Sequence, residues 1–166
     1  MASITLKGNP INTCGNLPAV GNTAPDFKLV DVDLGEVSLG TFAGKKKLLN
    51  IVPSLDTPVC ATSTKKFNDT AKEKSDVAVL TISADLPFAQ KRFCTAENTD
   101  SVKTLSMMTD RKFAEDYGML IVDGPLKGIS GRAVVVIDAN NKVTYTELVP
   151  EITQEPDYQK AIAALG

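Results

Sequence analysis

The chain of 166 residues carries three cysteines, Cys14, Cys60 and Cys94, and has neither histidine nor tryptophan. Without imidazole there is no Ser-His-Asp or Cys-His nucleophile, no imidazole acid–base catalysis and no histidine-based zinc or iron site. Chemistry therefore falls to cysteine, carboxylate, lysine, arginine, tyrosine or a bound cofactor. No C-x-x-C occurs, so neither a zinc knuckle nor a thioredoxin-type dithiol is written here. An odd number of widely spaced cysteines does not make a stapled secreted scaffold. They read as free thiols, a transient redox pair or small core hydrophobes.

Cys60 has the most informative surroundings. The apolar run Lys47–Val52 stops at Pro53, a loop follows through Ser54, Leu55 and Asp56, and Thr57-Pro58-Val59-Cys60 opens a helical stretch. Thr57 suits an N-cap and Pro58 the first helical position, where its missing N–H costs nothing. Cys60 then falls at N3, facing unpaired N–H groups and the positive end of the helix dipole, an environment that favours thiolate. Two readings of Cys60 stand side by side, an activated thiol and an inert buried filler. Ionisation alone gains little, because an ordinary thiol is already ~3% thiolate at pH 7 and full ionisation adds only ~30-fold. A fast nucleophile here must draw most of its rate from positioning and charge stabilisation. Thr57 is the candidate hydroxyl and Arg132 the candidate cation. Arg132 taken alone reads as a surface arginine at a strand start, and it matters only if that start abuts the Cys60 turn. Cys94 closes a helical stretch in which Phe88 and Phe93 are expected to face the core, and it too reads as filler or as a partner. A Cys60–Cys94 disulfide would close a loop worth roughly 4 kcal/mol, but three pairings of three cysteines are open. Cys14 reads as a packing residue.

The elements that must hold these residues follow from hydrophobic pattern and turn residues. A hairpin is expected over 3–14, turning at Gly8-Asn9-Pro10. Short strands are expected at 27–32 and 37–39, and buried strands at 47–52 and 77–82. Further strands fall at 105–108, 132–138 and 143–149. Helices are expected from Pro58 to about Lys74, over 87–97, over 110–117 closed by Gly118, and from Glu155 to Leu165. Alternating strands and helices give an α/β sandwich with 47–52 and 77–82 parallel neighbours. The βα turn holding Cys60 then lies at the carboxyl edge of the sheet, where such folds place their sites. One domain is expected over 1–166, a hairpin extension at 1–16 and a core at 17–166.

A net charge of −2 lacks the basic surplus of a nucleic-acid binder. Lys45-Lys46-Lys47 reads as a solvated ledge before a strand. No apolar run approaches the ~20 residues of a membrane span, and the first residues lack a signal-peptide core. A cytoplasmic protein is expected.

With these residues set out, the chain resembles a known family. Pro53-x-x-x-Thr57-x-x-Cys60 is similar to the peroxiredoxin active-site motif. The stretches LNIVPSLDTPVCATSTKKFN, ISADLPFAQKRFC, DGPLKG, GRAVVVID and LVPEITQEPDY resemble the bacterial thiol peroxidase subgroup, over nearly the whole chain. The resemblance implies a thioredoxin-like fold, a central mixed sheet flanked by helices with an N-terminal β-hairpin. It implies a peroxidase of hydrogen peroxide and alkyl hydroperoxides that needs no metal, haem or flavin. By position Cys60 would be the peroxidatic cysteine, passing through a sulfenic acid, and Cys94 the resolving cysteine. Thr57 would hydrogen-bond thiolate and peroxide, Arg132 would hold both electrostatically, and Pro53 would shield the sulfur. The intramolecular disulfide would be reduced by thioredoxin, and a homodimer is usual. Pro58 stands where some relatives have glycine, which stiffens the first turn of the helix. Thr81 stands where some relatives carry another cysteine.

Overall fold

The computed structural model describes every residue, Met1–Gly166. Strands β1 (Ser3–Leu6) and β2 (Asn9–Asn12) form the expected hairpin. Its turn is Lys7-Gly8, not Gly8-Asn9-Pro10: both residues take positive φ, 51° and 82°, while Asn9 and Pro10 already pair with Leu6 and Thr5. A two-residue turn with positive φ at both positions matches the right-handed twist of the strands it joins. Pro10 is tolerated because a two-stranded ribbon is all edge.

The remaining strands make one seven-stranded sheet in the order β4-β3-β7-β6-β5-β8-β9. These are β3 (Leu29–Val30), β4 (Glu36–Val37), β5 (Lys46–Ile51), β6 (Val77–Ser83), β7 (Lys103–Ser106), β8 (Ala133–Ile137) and β9 (Val143–Leu148). Helix α1 (Pro58–Glu73) crosses from β5 to β6 and α2 (Pro87–Glu97) from β6 to β7, so these three strands are parallel. Antiparallel β8 and β9 extend one side and β3 and β4 the other. Helices α3 (Lys112–Asp116) and α4 (Tyr158–Ala163) complete the fold.

Both faces of the central strands are buried, which explains their near-continuous apolar sequences. Leu48, Val79, Val134 and Val136 pack with Phe67 of α1 and Ala161 of α4. Alternate residues Leu49, Ile51, Leu80, Ile82, Val135 and Ile137 face the opposite cluster, with Phe113 and Tyr117. Here Gly118 is required: its φ is +71°, and an added Cβ would overlap the Asn16 backbone.

Several expectations shift. The strand expected at 27–32 shrinks to Leu29–Val30, and β7 begins two residues before 105, where Lys103 and Thr104 pair with Leu80 and Thr81. The last helix begins at Tyr158 rather than Glu155, because the Asp157 side chain accepts the Lys160 N–H and so marks the N-cap. Lys45 is solvated, but Lys47 is buried in mid-sheet, its ammonium donating to Asn141 Oδ1 at 2.7 Å. Burial lowers its pKa, with Asp138 opposing the shift. Phe93 faces the interior as expected, whereas Phe88 is 63% exposed. Position explains this: Phe88 lies in the first turn of α2, off the face that buries Pro87, Gln90 and Phe93.

Candidate functional site

Topology brings the site together. Because β8 runs antiparallel to β5 with Ile51 opposite Ala133, the residue just before β8 lies beside the residues just after β5. Arg132 and the Cys60 turn therefore meet although 72 positions separate them. The guanidinium donates from Nη2 to Cys60 Sγ at 3.2 Å and from Nε to the Ile152 carbonyl at 2.8 Å. Arg132 is 1% exposed and Cys60 fully buried. No carboxylate lies within 4.0 Å of the guanidinium, and its Nη1 has no partner at all. A buried cation without a counter-ion is costly unless something negative completes it, and the adjacent sulfur is the atom placed to do so. The expectation of a surface arginine gives way.

Cys60 sits at N3 of α1, after Thr57 and Pro58 as the sequence suggests. The first helical N–H bond runs from Ala61 to the Thr57 carbonyl, so the Val59 and Cys60 N–H groups remain free at the positive end of the helix. Thr57 occupies the N-cap position without using its side chain as a cap; its hydroxyl donates to the Ser54 carbonyl at 3.0 Å. That hydroxyl proton must turn away from Ser54 before it can serve the sulfur or a bound oxygen. Pro53 is buried behind the same turn.

Cys94 lies in α2 and packs against the apolar cluster that Cys60 forms with Val52, Leu55 and Phe93. Both thiols are free, as is Cys14. Cys14 is apart from this cluster, its thiol turned toward the Ala114 and Glu115 carbonyls at 3.9 and 3.8 Å. Each of Cys60 and Cys94 is inside a regular helix, Cys60 in the first turn of α1 and Cys94 in α2.

Three contributors escaped the residue-by-residue reading. Asp85 accepts from the Ser54 hydroxyl at 2.7 Å, the Leu55 N–H at 2.8 Å and the Ser83 hydroxyl at 2.7 Å, tying the loop before Cys60 to the loop before α2. The pattern Ser83-x-Asp85 ahead of a helix was the available signal, since short polar side chains there serve local backbone groups. Ile152 acts through its carbonyl, which no side-chain motif encodes. Tyr158 lies against Phe67 with ring centroids 5.2 Å apart, in the partly buried layer beside α1. Its phenol is pushed well above the ordinary tyrosine range, first by burial and then by its bond to Glu155, so it stays neutral.

A buried thiol beside an unpaired guanidinium, at a helix start with free N–H groups, can attack an electrophile that brings its own leaving group. Comparison with known proteins bears on which one. The redoxin family profile matches residues 19–162. Thiol peroxidases of Mycobacterium bovis and Mycobacterium tuberculosis are 58% identical over all 166 residues, 100% of this chain and 99% of theirs. A peroxiredoxin-like protein from Aquifex aeolicus superposes with a TM-score of 0.93 at 45% identity, covering 99% of this chain and 96% of that one. A thiol peroxidase from Chromobacterium violaceum superposes at 0.92 with 23% identity over the same shares, a likeness of fold alone.

Proposed function

The chain belongs to the redoxin family, among its thiol peroxidases, and on that premise we propose that Cys60 is the sulfur that attacks peroxide. The fold is thioredoxin-like and the activity is that of an oxidoreductase reducing peroxide. The Cys60 thiolate attacks one oxygen of ROOH; an S–O bond forms, the O–O bond breaks, and the departing alkoxide takes a proton to leave as alcohol or water. Charge builds on that departing oxygen. The free Val59 and Cys60 N–H groups and Arg132 Nη1 are the donors available to meet it. Thr57, once its hydroxyl turns from Ser54, orients the peroxide, and Pro53 keeps water from the sulfur.

Cys94 then attacks the Cys60 sulfenic acid, expelling water and leaving a disulfide. A dithiol reductant, thioredoxin, takes that disulfide and restores both thiols. The chain works as one domain with the hairpin as its extension, and the cytoplasm is the compartment this cycle needs, since the disulfide must be reduced at every turnover. Leu86 and Phe88, 52% and 63% exposed beside the site, form an apolar pair suited to the contact of a homodimer. The observation that carries the assignment is the 3.2 Å approach of a buried, otherwise unneutralised guanidinium to Cys60 Sγ.

The experiment is peroxide-dependent NADPH oxidation with thioredoxin and thioredoxin reductase. Cys60→Ser is expected to abolish it, and Cys94→Ser to abolish turnover while one equivalent of peroxide is still consumed. Full activity in Cys60→Ser overturns the assignment; Cys14→Ser behaving like Cys94→Ser overturns the resolving role.

A further inference from the structure

The aim of Arg132 depends on very little. Of its three terminal groups, Nη2 reaches the sulfur, Nη1 is free, and only Nε is held, by the Ile152 carbonyl. Ile152 is in neither strand nor helix; it lies in a turn beyond β9. What fixes that turn is the N-terminal hairpin. The Thr5 N–H donates to the Pro150 carbonyl at 2.8 Å and the Ile152 N–H to the Thr5 carbonyl at 2.9 Å. Between these bonds projects Glu151, whose carboxylate accepts the Thr5 hydroxyl at 2.6 Å, the Lys7 and Gly8 N–H groups at 3.0 and 3.1 Å, and the Thr153 N–H and hydroxyl at 3.1 and 2.8 Å. The left-handed Lys7-Gly8 turn presents its two N–H groups to this one side chain.

We propose that Glu151 is a positioning residue for the peroxidase reaction: by locking the hairpin to the 150–153 turn it holds the Ile152 carbonyl that aims Arg132 at Cys60. The inference rests on the reading of Arg132 as the cation serving Cys60. Ile152 also packs with Ile4, Ile11 and Ile121, so its side chain and its carbonyl are fixed from the same hairpin. That hairpin has a second, separate anchor: Asp123 accepts the Asn12 N–H at 2.7 Å and the Asn12 amide at 2.8 Å. Asp123 makes no hydrogen bond to the 150–153 turn, so loosening the hairpin and loosening the turn are separable.

The test uses the rate of Cys60 alkylation at neutral pH, in a chain whose other cysteines are serine, together with peroxide consumption by the otherwise intact enzyme. Glu151→Gln is expected to slow both by about tenfold, the scale of a small misplacement of a reacting group. Asp123→Asn is expected to leave both at the parent rate. In an Arg132→Met background Glu151→Gln is expected to add no further slowing, because it acts through the missing guanidinium; a merely structural defect would slow that background too. Equal slowing by Glu151→Gln and Asp123→Asn, parent rates in Glu151→Gln, or additive slowing with Arg132→Met each overturn the proposal. If Arg132→Met itself reacts at the parent rate, the underlying reading of the site fails as well. Should Glu151→Gln not fold, Thr5→Val against Thr5→Ser reads the same contact: slowing in the valine variant alone supports the proposal, and parent rates in both, or equal slowing in both, contradict it.

Discussion

Replacing Arg132 by methionine separates activity from stability in a way few other substitutions in this chain can. At 3.2 Å from the sulfur, a unit charge in a medium of effective dielectric ~20 sets a ceiling of ~5 kcal/mol on the attraction to a thiolate. The net value of a hydrogen bond from a charged group is smaller, ~1.5–3 kcal/mol, so its loss slows attack by the sulfur about tenfold or more. Nη1, free in the resting site, adds a donor to the departing oxygen, and losing one such donor costs ~10²-fold or more. Together they put the fall in kcat/KM for peroxide at about 10³-fold or greater. The fold behaves oppositely. Methionine fills most of the arginine's volume, leaves only the Ile152 carbonyl without its donor, and relieves the burial of an uncompensated cation. Thermal unfolding is therefore expected to occur at the same temperature or higher. Stopped-flow peroxide consumption by the reduced protein, with a calorimetric scan of the same sample, reads both quantities. A kcat/KM within fivefold of the parent would refute the reasoning, and so would a drop in unfolding temperature large enough to explain the lost activity.

Other substitutions test other parts of the account. Asp85→Ala removes the acceptor of two hydroxyls and the Leu55 N–H, and is expected to cost about 2–3 kcal/mol in urea unfolding and to slow peroxide reduction about tenfold by loosening the turn before Cys60. Gly118→Ala sets a Cβ on a positive-φ residue against the Asn16 backbone; a loss of about 2–4 kcal/mol is expected by the same unfolding assay, with kcat/KM unchanged in the protein that remains folded. The Glu151 carboxyl is held below the ordinary carboxylate range, first by the Thr5 hydroxyl and then by the Gly8 N–H. A carboxyl depressed in the folded state stabilises the fold above its unfolded value near ~4.3 and loses that contribution as the pH falls further. Below pH ~4 the parent is thus expected to lose stability more steeply than Glu151→Gln.

Legibility in the sequence followed the physics of each feature. Strands β5, β6 and β8 were plain because burial on both faces writes a near-continuous apolar run, and the Thr57-Pro58 start of α1 was plain because helix starts restrict residue types. That start put Cys60 at N3 correctly. Lys47 was misread because a lysine beside two others looks solvated, while its partner Asn141 sits in a distant turn. Arg132 could be named but not located: its proximity to Cys60 follows from the antiparallel register of β5 and β8, a nonlocal fact. Thr57 was found in its position, but the direction of its hydroxyl depends on the Ser54 carbonyl, a backbone group without a sequence signature. The same holds for Ile152. Contacts made by main chain, or by strands far apart in sequence, are where residue reading stops.

In the proposed cycle Cys60 takes the oxygen and Cys94 closes upon it. The measurement that reaches this most directly is peptide mass mapping after reduced protein meets one equivalent of hydrogen peroxide and every remaining thiol is alkylated. A Cys60–Cys94 disulfide with Cys14 alkylated is the expected result. Recovery of Cys60 as an alkylated thiol, or of Cys14 in the disulfide, would contradict it.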